Sequence, residues 1–320
     1  MSCRGLSLMS GGLDSQLAIR VLERAGAQGE AVCFSTPFFD IAAAQKAATA
    51  LGVKLHVVDF TDDEISLVEN PPHGFGGAMN PCIDCHALKI RRAGELMAKL
   101  GYDFVATGEV QGQRPMSQNV QSLGVVERTS GMKGRLVRPL SAKLLEPTVP
   151  ELEGKLDRSK LLDLSGRGRE RQIALAAEFG IVDYPSPAGG CKLTEEGFCR
   201  KLKDLKDHEG LHNRTLVDLV CVGRRFRLPD GTSVILGRDR DENERLKEVF
   251  RLHSTFRLDS DDAVPGPTAL LPEVKSEADL ERARGIVRAW SRGGTGREQF
   301  KAFQIVYVSG HDKREKKSKR

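Results

Sequence analysis

The sequence predicts an α/β protein, a parallel sheet carrying helices followed by a smaller α+β domain. Two patterns lead there. Over roughly the first hundred residues short apolar strands alternate with amphipathic helices, and the first strand runs into a glycine-rich turn. From about residue 208 the helices give way to short strand-like pieces and turns.

Residues 5–9 read as a buried strand, and 14–25 repeat apolar residues at helical spacing through Leu17, Ala18, Val21 and Leu22 before Gly26 and Gly29. A second strand is expected over 31–34, an alanine-rich helix over 41–51 and a third strand over 54–60. A helix over 85–100, ended by Gly101, leads to a strand over 104–107 and a polar loop over 108–118. Strands joined through helices pair in parallel with right-handed crossovers, and ligands gather beyond their carboxyl ends. Beyond Pro139 the pattern turns helical, most clearly at 161–164 and 169–179, and the proline- and glycine-rich run 185–190 imposes a loop before Cys191. In the second part, 217–222 and 233–236 read as strands, the latter after the turn Pro229-Asp230-Gly231. The expected domains are 1–207, 208–310 and a basic tail, 311–320.

With 320 residues, 39% hydrophobic and 29% charged, the chain has the composition of a soluble globular protein of two domains. No apolar stretch approaches the roughly 20 residues of a membrane helix, and residues 1–9 lack a secretory pattern. A cytoplasmic protein is expected. Oligomeric state is not readable. Lys+Arg and Asp+Glu balance at 26 each over 1–207, whereas 208–320 hold 23 against 18, so the net charge of +5 lies in the second part. Much of it is the tail Lys313-Arg314-Glu315-Lys316-Lys317-Ser318-Lys319-Arg320, suited to a phosphate backbone and equally to a solvated end.

Ser10-Gly11-Gly12-Leu13-Asp14-Ser15 joins the first strand to the first helix. Consecutive backbone N–H groups and a helix N-terminus favour an anion there. The Ser10 and Ser15 hydroxyls can donate to phosphate oxygens, and Asp14 can hold Mg²⁺. The seven cysteines, without an export signal, argue for free, metal-binding or reactive thiols. Cys82 and Cys85 stand three apart just before a helix, whose N-terminal dipole would lower their thiolate pKa, and Cys191 can approach from a separate loop. Such a set suits an iron–sulfur cluster, a zinc site completed by His86, a redox or persulfide pair, or inert buried thiols.

The Ser10–Ser15 turn resembles the phosphate loop of the N-type ATP pyrophosphatases, the PP-loop branch of the adenine nucleotide alpha hydrolase-like (HUP) fold. Asn80-Pro81-Cys82-Ile83-Asp84-Cys85 and Cys191 resemble elements of tRNA 2-thiouridylases, with Cys82 where aspartate is frequent. Thr107-Gly108-Glu109-Val110-Gln111-Gly112-Gln113 and Ser117-Gln118 resemble those of tRNA 4-thiouridine synthetases. The likeness covers residues 5–200. It implies an ATP-dependent tRNA sulfurtransferase that adenylates a uridine carbonyl and replaces its oxygen with sulfur, giving 2- or 4-thiouridine. Ser10, Gly11, Gly12, Asp14, Ser15, Thr107, Gly108 and Gln113 would bind ATP, with Mg²⁺. Asp14, Cys82, Cys85 and Cys191 would serve catalysis, the cysteines through a [4Fe-4S] cluster of the kind found in the cluster-dependent branch. Sulfide or a persulfide carrier protein would deliver sulfur.

Further along, Val222-Gly223-Arg224-Arg225-Phe226, Gly237-Arg238 with Asn243, and Pro265-Gly266-Pro267-Thr268 resemble elements of the RNA-binding domain of NFACT proteins. Arg224, Arg225, Arg227, Arg238 and Arg240 are then candidates for phosphate contacts, or members of an ion-paired surface. Two other readings stand beside this one: a PP-loop enzyme adenylating a small molecule, and a non-catalytic RNA-binding protein with structural zinc.

Overall fold

The computed structural model describes residues 3–114, 117–186, 191–260 and 264–305. The chain divides into two compact units, Met1–Thr194 and Glu195–Arg320.

In the first unit β1 (Cys3–Leu8), α1 (Leu13–Arg24), β2 (Ala27–Ser35), α2 (Ala42–Leu51), β3 (Leu55–Asp59), α3 (Thr61–Glu69), α4 (Cys82–Leu100) and β4 (Phe104–Ala106) follow the expected alternation. They continue into α5 (Val120–Ser130), β5 (Leu136–Val137), α6 (Val149–Leu152) and α7 (Glu170–Glu178). The five strands pair in parallel in the order β3-β2-β1-β4-β5. Period-2 alternation sorts their side chains to two faces. Phe104 and Ala106 join Leu13, Leu17 and Val21 in one core, while Val105 joins Leu6, Val32, Phe60 and Ile90 in the other. The strand order runs outward from β1 in one direction through β2 and from β4 in the other. Between those two carboxyl ends lies the switch point where α/β sheets bind ligands.

Several expectations change. Cys82 is the first residue of α4 rather than a residue ahead of it, because Pro81, which has no N–H to lose, stands immediately before that first turn. Residues 161–164 are not helical: Leu162 and Leu164 donate their N–H groups to Pro139 and Leu140 at 2.9 and 2.7 Å, which holds the apolar run extended. Residues 187–190 lie outside the described residues.

The second unit contains α8 (Glu196–His208), α9 (Arg214–Asp218), β6 (Arg224–Arg227), β7 (Ser233–Leu236), α10 (Arg240–Leu252), β8 (Arg257–Asp259), β9 (Ala269–Leu271) and α11 (Glu277–Trp290). Its four strands form an antiparallel sheet, order β6-β7-β9-β8. Phe226, Val234, Leu236 and Leu271 pack there with Ile286, Val287 and Phe300. The division precedes α8 instead of falling near His208, since Asp204 of that helix is ion-paired with Arg225 and Arg227 of β6. The strand expected over 217–222 is α9 followed by a 3-10 turn, Leu219–Cys221. The Asn213 side chain caps α9 by accepting from Leu216 N at 3.3 Å. Among the described residues no helix is long and apolar enough to cross a membrane. The tail 311–320 lies outside them.

Candidate functional site

The loop after β1 is held from within. Ser15 Oγ donates to Gly12 O at 2.8 Å, and Ser10 Oγ lies 3.4 Å from both Ser15 Oγ and Gly12 N. Ser10 remains at the surface, whereas Ser15 is buried and shapes the turn. Gly11 takes φ +79°, a conformation that favours glycine. Gly108, following β4, lies directly against this turn: a Cβ on it would come within 2.6 Å of the Asp14 carbonyl and 2.7 Å of Ser15 N. Only a glycine permits that approach.

Asp14 accepts from Gln113 Nε2 at 3.1 Å through Oδ2, while its buried Oδ1 has no hydrogen-bond partner. Burial raises its pKa, opposed by Arg169, Gln113 and Arg114. An orphaned carboxylate oxygen in the turn after β1 fits a hard divalent cation such as Mg²⁺. Arg169, which the sequence reading did not single out, has a buried Nε also without a hydrogen-bond partner. The signal for it was the Gly166-Arg167-Gly168-Arg169 run.

The second cluster centres on the first turns of α4. Asn80 Nδ2 donates to Cys82 Sγ at 3.1 Å, and Cys85 Sγ donates to Glu64 Oε2 of α3 at 3.4 Å. Lys89 Nζ lies 3.9 Å from that same Glu64 oxygen and 3.7 Å above the Phe39 ring, with Phe60 at 5.4 Å. Lys192 N donates to Phe38 O at 3.0 Å, which brings the Cys191 segment to the end of β2. Cys191 interacts electrostatically with Cys82, Cys85, Glu64 and Lys89, so the three predicted thiols share one neighbourhood.

Burial pushes the Cys191 thiol up to about 11 and drives Cys85 higher still, which overturns the expectation that the helix dipole would lower Cys85. Desolvation of a thiolate outweighs a terminal dipole here. Burial also opposes the Lys89 ammonium, yet Cys85 and Glu64 beside it raise its pKa overall. Among the described residues no three His, Cys, Asp or Glu side chains converge on a single ion. His86 Nδ1 is directed to Glu109 Oε1 at 3.3 Å. Three cysteines sharing one neighbourhood with Lys89 and Glu64 have the donor chemistry of a cluster with one iron left open.

Glu109 joins the two clusters. It accepts from Thr107 Oγ1 at 3.0 Å and from Arg138 Nε at 2.8 Å, while Arg138 reaches Glu127 at 3.0 Å. Burial opposes its charge, but Arg138 and His86 hold its carboxyl far below the usual range. Thr107 therefore supports Glu109, and its hydroxyl faces that carboxylate. Glu64, Lys89 and Arg138 had escaped notice, although Lys89 stands four residues after Cys85, on the same helix face.

In the second unit, Arg225 and Arg227 are removed from the candidates for phosphate contact. Arg227 pairs with Asp204 at 2.7 Å and Glu209 at 2.6 Å, and Arg225 Nε lies 3.2 Å from Asp204. Arg238 pairs with Glu242 at 2.9 Å on the surface, and Arg240 is exposed.

Residues 4–123 match the family model described as the tRNA methyl transferase HUP domain. That segment runs from β1 into α5 of the first unit, which is similar to a HUP domain over that stretch. Residues 223–319 match the NFACT protein RNA binding domain. The tRNA-specific 2-thiouridylase MnmA of Marinobacter nauticus is 32% identical over 61% of this chain and 52% of its own length. A probable tRNA sulfurtransferase of a Thermoanaerobacter species is 29% identical over 52% of this chain and 41% of its own. The chain thus spans about half the length of these relatives. Among solved structures, a 4-thiouridine synthetase–RNA complex with bound ATP aligns with TM-score 0.36 and 21% identity, covering 56% of this chain and 52% of that one. The matched segment contains the loop after β1 and the thiols of α4; Cys191 lies beyond it.

Proposed function

We propose that the chain is an ATP-dependent tRNA sulfurtransferase which adenylates a uridine carbonyl and replaces its oxygen with sulfur. The observation that carries the reading is the continuity of two sites. Gly108 packs on the phosphate loop, and the adjoining Glu109 holds His86, next to Cys85. A nucleotide activated at one site lies beside sulfur-handling residues at the other.

A uracil oxygen leaves poorly, and attaching AMP to it, with release of pyrophosphate, makes it a good leaving group. The loop N–H groups and the N-terminus of α1 would hold the phosphates, Ser10 would donate to them, and Asp14 Oδ1 would face Mg²⁺. Gln113 holds the other Asp14 oxygen. Hydrosulfide adds to the activated carbon, AMP departs and a proton is lost. If a persulfide carrier delivers the sulfur, its outer sulfur adds and AMP departs; a thiol then attacks the carrier sulfur, breaking the S–S bond to form a disulfide and leave sulfur on the base. A [4Fe-4S] cluster on Cys82, Cys85 and Cys191 would supply a fourth iron able to bind inorganic sulfide. The target base must leave its stack to reach such a site, and the second unit would contribute RNA affinity.

The test is nucleoside mass spectrometry of tRNA incubated without oxygen with reconstituted protein, ATP and sulfide. A thiouridine whose formation requires ATP is expected, and its position and C2 or C4 substitution name the product. Undiminished thiolation by a triple Cys82→Ser, Cys85→Ser, Cys191→Ser protein would overturn the sulfur site. Full pyrophosphate release without RNA would move the substrate to a small molecule.

A further inference from the structure

We infer that the second unit holds a built phosphodiester-binding site formed by Lys201, Arg224, Arg238 and Arg297. This deepens, and rests on, the reading that this unit meets RNA. Two Gly-Arg corners lie side by side. Gly223-Arg224 opens β6 and Gly237-Arg238 follows β7, and Arg224 is paired with Leu236 in the ladder. Both glycines are required by close approach: a Cβ on Gly223 would lie 2.4 Å from Leu236 O, and one on Gly237 would lie 2.1 Å from Asn243 Oδ1. The corners are therefore fixed, and their arginines emerge at one end of the sheet, where α10 begins.

Like charges accumulate there. Burial disfavours the Arg224 cation, and Arg238 and Arg297 disfavour it further. Lys201 of α8 is lowered by burial and then by Arg238, with Cys221 and Glu242 opposing and Arg225 adding to the shift. Glu242, already bonded to Arg238, and Asp239 are carboxylates that face this group. Among the described residues neither Lys201 nor Arg224 has an ion-pair or side-chain hydrogen-bond partner. Beside Lys201, Arg225 is 2% exposed and already paired with Asp204 and Glu209. Lys201 and Arg224 are partly buried next to like charge, which costs free energy, and an anion entering among these cations relieves the repulsion. Arginine forks match phosphate oxygens. The corners present them on rigid backbone, so the site fits an RNA phosphate, read without regard to base.

The experiment measures binding of a fluorescein-labelled tRNA transcript to the full chain across a salt series. Lys201→Gln with Arg224→Gln is expected to weaken binding roughly tenfold and make the log–log salt slope shallower by about 1–2. Arg238→Gln with Arg297→Gln, at exposed positions, should act in the same direction even if the first pair unfolds the unit. Arg245→Gln, exposed elsewhere on α10, should change the slope by less than either pair. Unchanged affinity and slope in the exposed pair overturn the site, as does a loss equalled by Arg245→Gln. If the variants lose ATP binding while RNA binding persists, the ligand is a free nucleotide and the inference falls. Thiouridine formation is measured separately. RNA binding through these residues without thiolated product would sink the sulfurtransferase reading alone, whereas thiolation with unaltered RNA affinity in both pairs would sink this site alone.

Discussion

Glu109 decides more than its place in a sequence motif suggests. Its carboxylate is buried against Arg138, so Glu109→Gln should destabilise the chain by about 3 kcal/mol at neutral pH, read by urea unfolding. Because the folded pKa is depressed, this contribution is present above the unfolded value of about 4.3 and is lost as pH falls through the folded one. The stabilities of wild type and variant should therefore converge in acid. Lys89 offers a second check. It opposes the upward shifts of Cys85 and Cys191, so Lys89→Met should slow their alkylation by iodoacetamide at pH 8 severalfold. Cysteines and Asp14 were legible because rare chemistry recurs at short spacing. Arg138 was not, because it meets Glu109 across 29 residues and no local pattern records that contact.

At the scale of elements, the strand–helix alternation through β4 could be read because apolar periodicity and glycine stops agree. β5 could not, having two residues and deriving its identity from pairing with β4. α3 and α5 were also missed, although Asn119 marks the start of α5 by accepting from Ser122 N at 2.8 Å. The apolar 161–164 run shows the opposite failure, a helical-looking stretch claimed by backbone partners at Pro139 and Leu140. β4 contributes to the site by delivering Gly108 to the phosphate loop. Gly108→Ala should force the loop from that strand and reduce pyrophosphate release by about 100-fold, with circular dichroism showing the sheet intact.

For the whole molecule, the two-unit organisation was foreseen, while its border depended on an ion-pair network formed by side chains far apart in sequence. The charge distribution makes a separate forecast: deleting residues 313–320, six cations and one anion, should weaken RNA binding equally for all sequences and reduce the salt slope by at most about 5. The hydrogen bond from Gln113 to Asp14 joins segments 99 residues apart, one following β4 and the other following β1. Since Asp14 would also face the metal of the nucleotide, that amide is a built-in gauge of occupancy. Its nitrogen resonance, followed during nucleotide titration, would show at the far strand end when the near one is loaded.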